Sequence, residues 1–343
     1  MNSYENIMLE HGGNLQEAAR RFSRPVSDWL DLSTGINPRF YPVPALSNNA
    51  WHRLPEKMSA LTDAAQIFYG APAMLAVAGS QAAIQALPRL RLQNMGIARV
   101  VVAAPSYAEH AFQWRQHGHQ VHECPYDSLA SMVTTADVVV LCNPNNPTGE
   151  MIQAETLLRW AAQMAERGAW LIVDEAFADT AEAQSVAQAS AQPGLIVLRS
   201  VGKFFGLAGV RVGFVAARAD LLSQLENMLG PWSISGPAQE ITCAALCDTA
   251  WQTQTRHYLQ DQGARLQSLL QSHDIASSGT ALFQWCSDAA LQGQTEQLWQ
   301  HLAEHGIWGR LFREAARGVR FGLPPDEAGW KKLTLALDSW RKN

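Results

Sequence analysis

After Gly79 the chain alternates short apolar runs with helical stretches, and this alternation constrains the fold more than any other feature of the sequence. Such a pattern is typical of parallel strands that are buried on both faces and joined by crossover helices. The expected strands are residues 99–103, 138–142, 169–173, 195–199 and 212–216. The sequence therefore predicts an α/β protein with a mostly parallel sheet.

Three regions follow from this pattern. Residues 45–230 should form the large α/β domain, and residues 231–343 a smaller α+β domain. In the second region a helical stretch over 236–270 precedes strand-like segments at 281–286, 307–312 and 319–323. Residues 1–44 contain a short helical patch and then the proline-rich LSTGINPRFYPVP, which no regular element can accommodate. We expect this region to be an arm that contributes to the small domain and the active site.

The composition excludes several classes of function. With 343 residues, 47% of them hydrophobic, and a net charge of −5, the chain gives no electrostatic reason to bind nucleic acid or an anionic membrane. It has neither a signal-like N-terminus nor a long apolar run, so we expect a cytoplasmic protein. Five cysteines without a CxxC pair predict no disulfide framework. Cys243 and Cys247 lack further ligands, so no metal site is expected.

Small and polar residues follow the expected strands, at the edge where open α/β sheets bind ligands. Gly79, Ser80 and Gln81 open a helix whose free N–H groups could hold a phosphate, although many ordinary helices begin this way. Tyr107 offers either an aromatic face for a flat heterocycle or a buried core ring. In NPNNPTG, two Asn-Pro steps force a sharp exit and aim the Asn146 amide into the crevice.

Charged residues follow two further strands. Asp174 and Glu175 end one of them, where a carboxylate is costly unless it meets a cation such as a protonated pyridine nitrogen. A helix cap or a salt bridge is the alternative. In SVGKFFGLAGVRVG, Lys203 comes three residues after Ser200, and Arg211 comes eight residues after Lys203. A lysine beside glycines, phenylalanines and another cation should have a lowered pKa, and Arg211 offers a bidentate phosphate contact.

Together, NPTG, DEAF and SxxK with an arginine eight residues on resemble the fold type I pyridoxal-phosphate enzymes of the class I and II aminotransferase superfamily. The resemblance covers essentially the whole chain and implies a homodimer with active sites at its interface. It implies pyridoxal 5'-phosphate as the cofactor, with Lys203 as the Schiff-base lysine. The other implied cofactor contacts are Asp174 on the pyridine nitrogen, Asn146 on the ring hydroxyl, Tyr107 on the ring face, and Gly79, Ser80, Gln81, Ser200 and Arg211 around the phosphate.

Two positions depart from the pattern of this superfamily. Phe177 stands where aminotransferases commonly carry a tyrosine that touches the ring oxygen. Leu54 stands where relatives often have a tyrosine that reaches the cofactor phosphate of the neighbouring subunit. Neither change should prevent cofactor binding, but both put ordinary transaminase tuning in doubt.

The N-terminal HGGNLQEAARRF, followed by DLSTGINP, is similar to the threonine-phosphate decarboxylases of cobalamin biosynthesis, close relatives of histidinol-phosphate aminotransferases. That family has a His-Gly-Gly-Asn arm that closes over the substrate phosphate. The matching residues are His11, Gly12, Gly13 and Asn14, with Gly35 where a family member can have asparagine. Simple capping of a helix is the alternative explanation of the arm motif.

Near the C-terminus, IWGRLF and GVRFGLP match segments in which the family places anion-binding arginines, here Arg310 and Arg320. Their spacing of ten is shorter than expected, which suggests a trimmed loop. Asn146 is also an expected substrate contact. The resemblance implies decarboxylation of L-threonine O-3-phosphate, a small phosphorylated amino acid, to (R)-1-amino-2-propanol O-2-phosphate. A histidinol-phosphate-type aminotransferase remains the alternative, and retention of Lys203 and Asp174 argues against a non-catalytic protein.

Overall fold

The computed structural model describes residues 11–181, 184–314 and 316–340. Its strands in chain order are β1 Leu30–Asp31, β2 Met74–Val77, β3 Arg99–Ala103, β4 Gln120–Cys124, β5 Val138–Cys142, β6 Trp170–Asp174, β7 Leu195–Ser200, β8 Gly213–Ala216, β9 Ser278–Thr280, β10 Phe283–Ser287, β11 Ile307–Trp308, β12 Arg310–Phe312 and β13 Gly318–Gly322. Its α-helices are α1 Leu15–Phe22, α2 Asn49–His52, α3 Ser59–Tyr69, α4 Ser80–Met95, α5 Glu109–Gln116, α6 Leu129–Met132, α7 Ala154–Ala165, α8 Ala219–Leu229, α9 Gly236–Cys247, α10 Thr249–Ser272, α11 Thr295–Glu304 and α12 Glu327–Trp340.

The large sheet has the order β2-β8-β7-β6-β5-β3-β4. The neighbours from β7 to β4 are parallel, which confirms the α/β fold with a mostly parallel sheet. The expectation that β8 is also parallel is wrong, because β8 runs antiparallel to both β7 and β2. The segment between β7 and β8 contains only the 3-10 turn Ala208–Val210, so no crossover helix returns the chain to the other end of the sheet.

The strands β2 and β4 of the large sheet were not predicted from the sequence. The strand β4 lies at the sheet edge, and four of its five residues are at least partly exposed. Its sequence, QVHEC, is therefore not a continuous apolar run of the kind that identified the central strands. The central strand β5 is buried throughout.

Apolar side chains of the large sheet pack on both of its faces. In β5, Val138 and Val140 join the core under α4, α5 and α8, whereas Val139 and Leu141 join the core under α3, α6 and α7. This alternation follows from the two-residue period of a strand. Each fully buried side chain of this kind contributes about 1.5–3 kcal/mol to folding, and the two layers hold the strand ends in place.

The C-terminal sheet is antiparallel, in the order β12-β13-β10-β9, and α11 and α12 pack together beside it. The predicted helical stretch over 236–270 is two helices, because Asp248 ends α9 and its side chain caps α10 by accepting from the Trp251 amide. In the arm, α1 is confirmed, and β1 pairs with β11 of the C-terminal region. The division into these three regions, with boundaries at 44/45 and 230/231, stays a prediction.

Candidate active site

Lys203 lies in the loop after β7, and it is partly buried. Its Nζ atom is 5.3 Å from the centre of the Phe177 ring. Burial is the largest cause that lowers its pKa, to about 8, and the positive charges of Arg320 and Arg211 add to it against the opposing effect of Asp174. The predicted lowering of this pKa is confirmed, and a substantial fraction of neutral amine is present near pH 8.

Asp174 ends β6, and its buried carboxylate contacts His110 at the start of α5. The Asp174 Oδ2 atom is 2.9 Å from His110 Nε2, and Oδ1 accepts from the Ala176 amide. Burial alone would lower the pKa of His110, but its contacts with Asp174 and Cys142 outweigh burial and raise the pKa to about 10. The role of His110 was not predicted from the sequence, although His110 lies only three residues after Tyr107.

Cys142 completes this buried group, because it ends β5 directly opposite Asp174 in the sheet. The Cys142 Sγ atom, a ring nitrogen of His110 and a carboxylate oxygen of Asp174 lie within 4.8 Å of one another. Ser106 Oγ donates to Cys142 Sγ at 3.2 Å. The protonated His110 thus places a positive charge beside the Asp174 side chain at the strand end.

Glu175, the next residue, has a different environment. Its carboxylate pairs with the buried Arg199 and accepts hydrogen bonds from Ser185 Oγ and the Val186 amide. For Glu175, therefore, the salt bridge that was the alternative explanation is the correct one.

The N-terminus of α4 is closely approached by the loop after β7. Gly79 has a φ of +71°, and a Cβ atom there would lie 2.8 Å from Nη2 of Arg211. A Cβ on Gly213 would lie 2.4 Å from the Ser80 amide nitrogen. These two glycines let the Arg211 guanidinium and the first amides of α4 share one small space, as a phosphate site requires. Ser200 Oγ, at the end of β7, accepts from the Gly202 amide.

Tyr107 and Gln81 contact each other. Tyr107 donates its hydroxyl hydrogen to Gln81 Oε1 at 3.2 Å, and Gln81 Nε2 donates to Glu109 Oε2 at 2.8 Å. Burial, followed by the charge of Glu109, raises the pKa of Tyr107, so its hydroxyl stays protonated. Because both ends of the Gln81 amide have partners, its backbone N–H rather than its side chain would meet a phosphate.

Among the three asparagines of the NPNNPTG segment, one contacts Arg320, a predicted substrate-binding residue. Asn143 binds both backbone polar groups of Ile152, and Asn145 Nδ2 donates to Pro105 O. Asn146 Oδ1 instead accepts from Arg320 Nη1. Asn146 thus contacts Arg320 of the C-terminal sheet, which agrees with the expectation that its side chain faces the crevice.

Arg310 and Arg320 lie opposite each other on the neighbouring strands β12 and β13. Their short spacing in the sequence is that of a β-hairpin. Arg320 is buried, and its Nη2 donates to Ser33 O at 2.7 Å. Burial first, and then the positive charge of Arg310, lower the pKa of Arg320 to about 9.

The arm lies against this crevice. His11 Nε2 is 3.2 Å from Glu109 Oε1, and the Gly13 amide donates to Ser33 Oγ at 2.7 Å. A Cβ atom on Gly12 would lie 2.4 Å from Ser33 O, so only glycine permits this approach. Asn14 accepts from the Glu17 amide and caps α1, so the capping explanation is correct for this residue of the motif.

Gly35 lies on the same side of the crevice, with a φ of +63°. A Cβ there would lie 3.2 Å from Phe283 Cδ1 and 3.5 Å from Phe177 Cε1. The rings of Phe177 and Phe283 are in edge-on contact, with their centres 5.1 Å apart. An asparagine at this position would have to displace this aromatic pair beside Lys203.

The site combines a partly buried amine, a buried carboxylate and a helix N-terminus with a nearby arginine. Such a set can hold a phosphorylated cofactor that reacts through an amine. The family model for aminotransferase class I and II matches residues 31–317, and the chain belongs to this family. Its cofactor is pyridoxal phosphate. The close approach of Arg211 to the α4 N-terminus and the lowered pKa of Lys203 both fit that group.

Among curated proteins, the chain is 48% identical to the threonine-phosphate decarboxylase of Pseudomonas aeruginosa, over 96% of this chain and 97% of that protein. It is 39% identical to the threonine-phosphate decarboxylase of a Sinorhizobium species, with the same coverage. A solved structure of histidinol-phosphate aminotransferase from Sinorhizobium meliloti, in complex with pyridoxal-5'-phosphate, shares the fold, with a TM-score of 0.82 and 20% identity over 100% of this chain and 98% of that one.

Proposed function

We propose that this enzyme decarboxylates L-threonine O-3-phosphate to (R)-1-amino-2-propanol O-2-phosphate and carbon dioxide, a reaction of cobalamin biosynthesis. The observation that carries the proposal is the pair Arg310 and Arg320 across one hairpin, beside the crevice that contains Lys203. A substrate with both a carboxylate and a phosphate needs two such cations. Extensive identity to two proteins with the same name supports this substrate.

In this proposal the two anionic ends of the substrate are held by different segments. Arg320 binds the carboxylate, which takes the place of the neutral oxygens of Asn146 and Ser33 as its hydrogen-bond acceptor. Arg310 and His11 bind the phosphate. Holding both ends of a three-carbon molecule fixes the rotation about its Cα bonds and thus selects the bond that breaks.

The residues around the proposed cofactor site have separate roles in binding the cofactor, stabilising its charge and holding a proton. Pyridoxal phosphate, when bound, supplies an electron-withdrawing ring that accepts the electron pair left at Cα. Asp174, supported by the protonated His110, supplies the negative charge that the ring nitrogen requires. Lys203 would attach the cofactor, and its amine could hold a proton for delivery at Cα. Tyr107 would pack on the ring and Asn146 would contact the ring hydroxyl. The phosphate would be surrounded by Gly79, Ser80, Gln81, Ser200 and Arg211.

The reaction type is tested by supplying phosphothreonine without any 2-oxo acid and measuring carbon dioxide. We expect many turnovers per active site. A single half-reaction that stalls until 2-oxoglutarate is added would instead show a histidinol-phosphate-type aminotransferase. Phe177 supports the first outcome, because it lacks the hydroxyl that helps to tune transaminases.

The attachment point of the cofactor is tested by borohydride reduction and peptide mapping. We expect the adduct on Lys203, and we expect Lys203→Ala to lose it. A reduced adduct on Lys57, Lys331 or another lysine would refute the assignment.

We also propose that the enzyme is a homodimer. The side chains of Phe40, Val43, Trp51, Leu54 and Trp232 are each half or more exposed. Residues 47–50 and 236–240 are in contact, because Ser47 binds Glu240 and Gly236 approaches Ala50. Several of these apolar side chains therefore occupy neighbouring segments, which a partner subunit would cover. An active monomer in sedimentation at working concentrations would refute the dimer.

A cytoplasmic location, without nucleic-acid or membrane partners, is part of the same proposal. All five cysteines are free, and the net charge is −5. Within the described residues, no helix is both long and apolar enough to cross a membrane. Fractionation of the source cells tests the location.

A further inference from the structure

A continuous series of side-chain contacts connects the arm to the ring of Tyr107. His11 Nε2 is 3.2 Å from Glu109 Oε1, and Glu109 Oε2 accepts from Gln81 Nε2 at 2.8 Å. The other end of the Gln81 amide accepts from the Tyr107 hydroxyl at 3.2 Å. Glu109 is therefore the residue shared by the arm and the Tyr107 contact network.

An acidic residue at the start of α5 has a simple role, because it interacts favourably with the helix dipole. Two observations indicate more than this role. The Glu109 side chain is only 12% exposed, and its two oxygens contact side chains from three segments of the chain, including Gln113 on its own helix. Dipole stabilisation alone would leave such a carboxylate in solvent.

The arm is fastened on the opposite side of the crevice as well. The Gly13 amide donates to Ser33 Oγ, and the carbonyl of Ser33 accepts from Arg320. His11 and Gly13 thus attach the arm to the proposed cofactor side through Glu109 and to the proposed substrate side through Ser33. Loss of either attachment should loosen the other, because the two contacts lie only two residues apart.

We propose that Glu109 is a positioning residue that couples docking of the arm to the position of the Tyr107 ring. It holds His11 over the crevice through one oxygen and orients Tyr107 through Gln81 with the other. The inference rests on the proposed function only in taking the crevice beside Tyr107 as the cofactor site. Because coupling between two sites is reciprocal, a change at Tyr107 should also loosen the arm.

The test uses the holoenzyme and two independent measurements. Hydrogen exchange at the Gly13 amide reports arm docking, and visible circular dichroism of the bound cofactor reports the ring environment. We expect Glu109→Ala to speed Gly13 exchange by about two- to fivefold, as for loss of a partly exposed polar contact, and to change the cofactor dichroism. Glu109→Gln, which keeps the shape and an oxygen for Gln81, should speed exchange with a smaller change in dichroism.

Gln113→Ala is the matched control, because Gln113 also donates to Glu109 but reaches neither the arm nor Tyr107. This variant should match the wild type in both measurements. Tyr107→Phe should speed Gly13 exchange in the same direction as Glu109→Ala. Faster exchange in both variants together with altered dichroism in Glu109→Ala supports the coupling.

Unchanged Gly13 exchange in both Glu109 variants would overturn the proposal, and so would faster exchange with unaltered dichroism or an unaffected arm in Tyr107→Phe. These measurements need no substrate turnover. Failure of the wild type to release carbon dioxide from phosphothreonine would count against the proposed decarboxylation alone.

Discussion

Two regions of the molecule each bury an arginine, and they treat it in opposite ways. In the large sheet, Arg199 of β7 pairs with the buried carboxylates of Glu175 and Asp179 and lies 4.4 Å from the centre of the Tyr69 ring. Burial opposes its positive charge, but the two carboxylates outweigh burial and raise its pKa. The positive charge of Arg199 is thus balanced by two internal carboxylates.

In the C-terminal sheet, Arg320 is buried to a similar degree, but in the described part of the chain no carboxylate lies within salt-bridge distance of it. Its hydrogen-bond partners are the neutral oxygens of Asn146 and Ser33. The positive charge of Arg310 lowers its pKa further, and the Asp31 carboxylate, which forms no salt bridge with it, only partly opposes this effect. A buried charge without an opposite charge in direct contact is costly to the fold. The difference teaches that burial alone does not distinguish a structural arginine from a binding one, whereas the presence of an internal anion does.

The largest effect on stability is expected for Arg199→Met. This substitution leaves Glu175 and Asp179 buried without their cation, which should lower the free energy of unfolding by about 3–5 kcal/mol. Urea denaturation of the apoprotein measures the change. Adding Glu175→Gln to Arg199→Met should recover part of the loss, and a stability equal to that of the wild type would break the comparison.

Arg320→Met should instead affect activity. We expect kcat/KM for phosphothreonine to fall by an amount equivalent to about 2–5 kcal/mol, because a desolvated charge pair with the substrate is lost. The free energy of unfolding should stay equal or rise, since an unpaired buried charge has been removed. A variant as unstable as Arg199→Met, with normal turnover, would contradict this assignment.

Lys203 is a partly buried cation, and the structure predicts the sign of its effect on stability. Its pKa of about 8 in the folded chain lies below its ordinary value of 10.5, so the unfolded chain binds more protons between these two pH values. The cost of the buried charge is therefore fully present below pH 8 and disappears as the pH rises to 10.5. We expect the Lys203→Met apoprotein to be more stable than the wild type by about 1–3 kcal/mol at pH 7.

The Lys203 prediction is checked by urea denaturation of both apoproteins at several pH values. The advantage of Lys203→Met should shrink steadily between pH 8 and 10.5. A difference that stays constant or grows over this range would show that desolvation of the amine is not its cause.

The smallest effect is expected for Arg310→Met. Arg310 is only partly buried, so its contact with the substrate phosphate should contribute about 1–2 kcal/mol to kcat/KM. Arg320 should at the same time hold its proton more firmly, because Arg310 is one cause of its lowered pKa. The ratio of kcat/KM for phosphothreonine to that for threonine measures the preference, and a larger loss than in Arg320→Met would reverse the two roles.

Much of the proposed cofactor site could be predicted because its residues lie in one loop or directly after a buried strand. Lys203 and Arg211 lie in one loop, and the apolar runs that identified β5, β6 and β7 also located the strand ends that carry the site. Burial of the central strands depends on local apolar character, which the sequence displays directly. The direction of β8 escaped prediction because strand orientation depends on the connection and not on the strand itself.

The α/β fold, the position of Lys203 after a buried strand and the two C-terminal arginines could all be inferred from the sequence. The partners of each charge became known from the three-dimensional arrangement of the chain. Arg320 meets Asn146 and Ser33 across 174 and 287 residues of sequence, and Asp174 meets His110 across 64. The physical reason is that a charge is stabilised by whatever lies within a few ångströms in space, and at such separations the sequence carries no record of that distance.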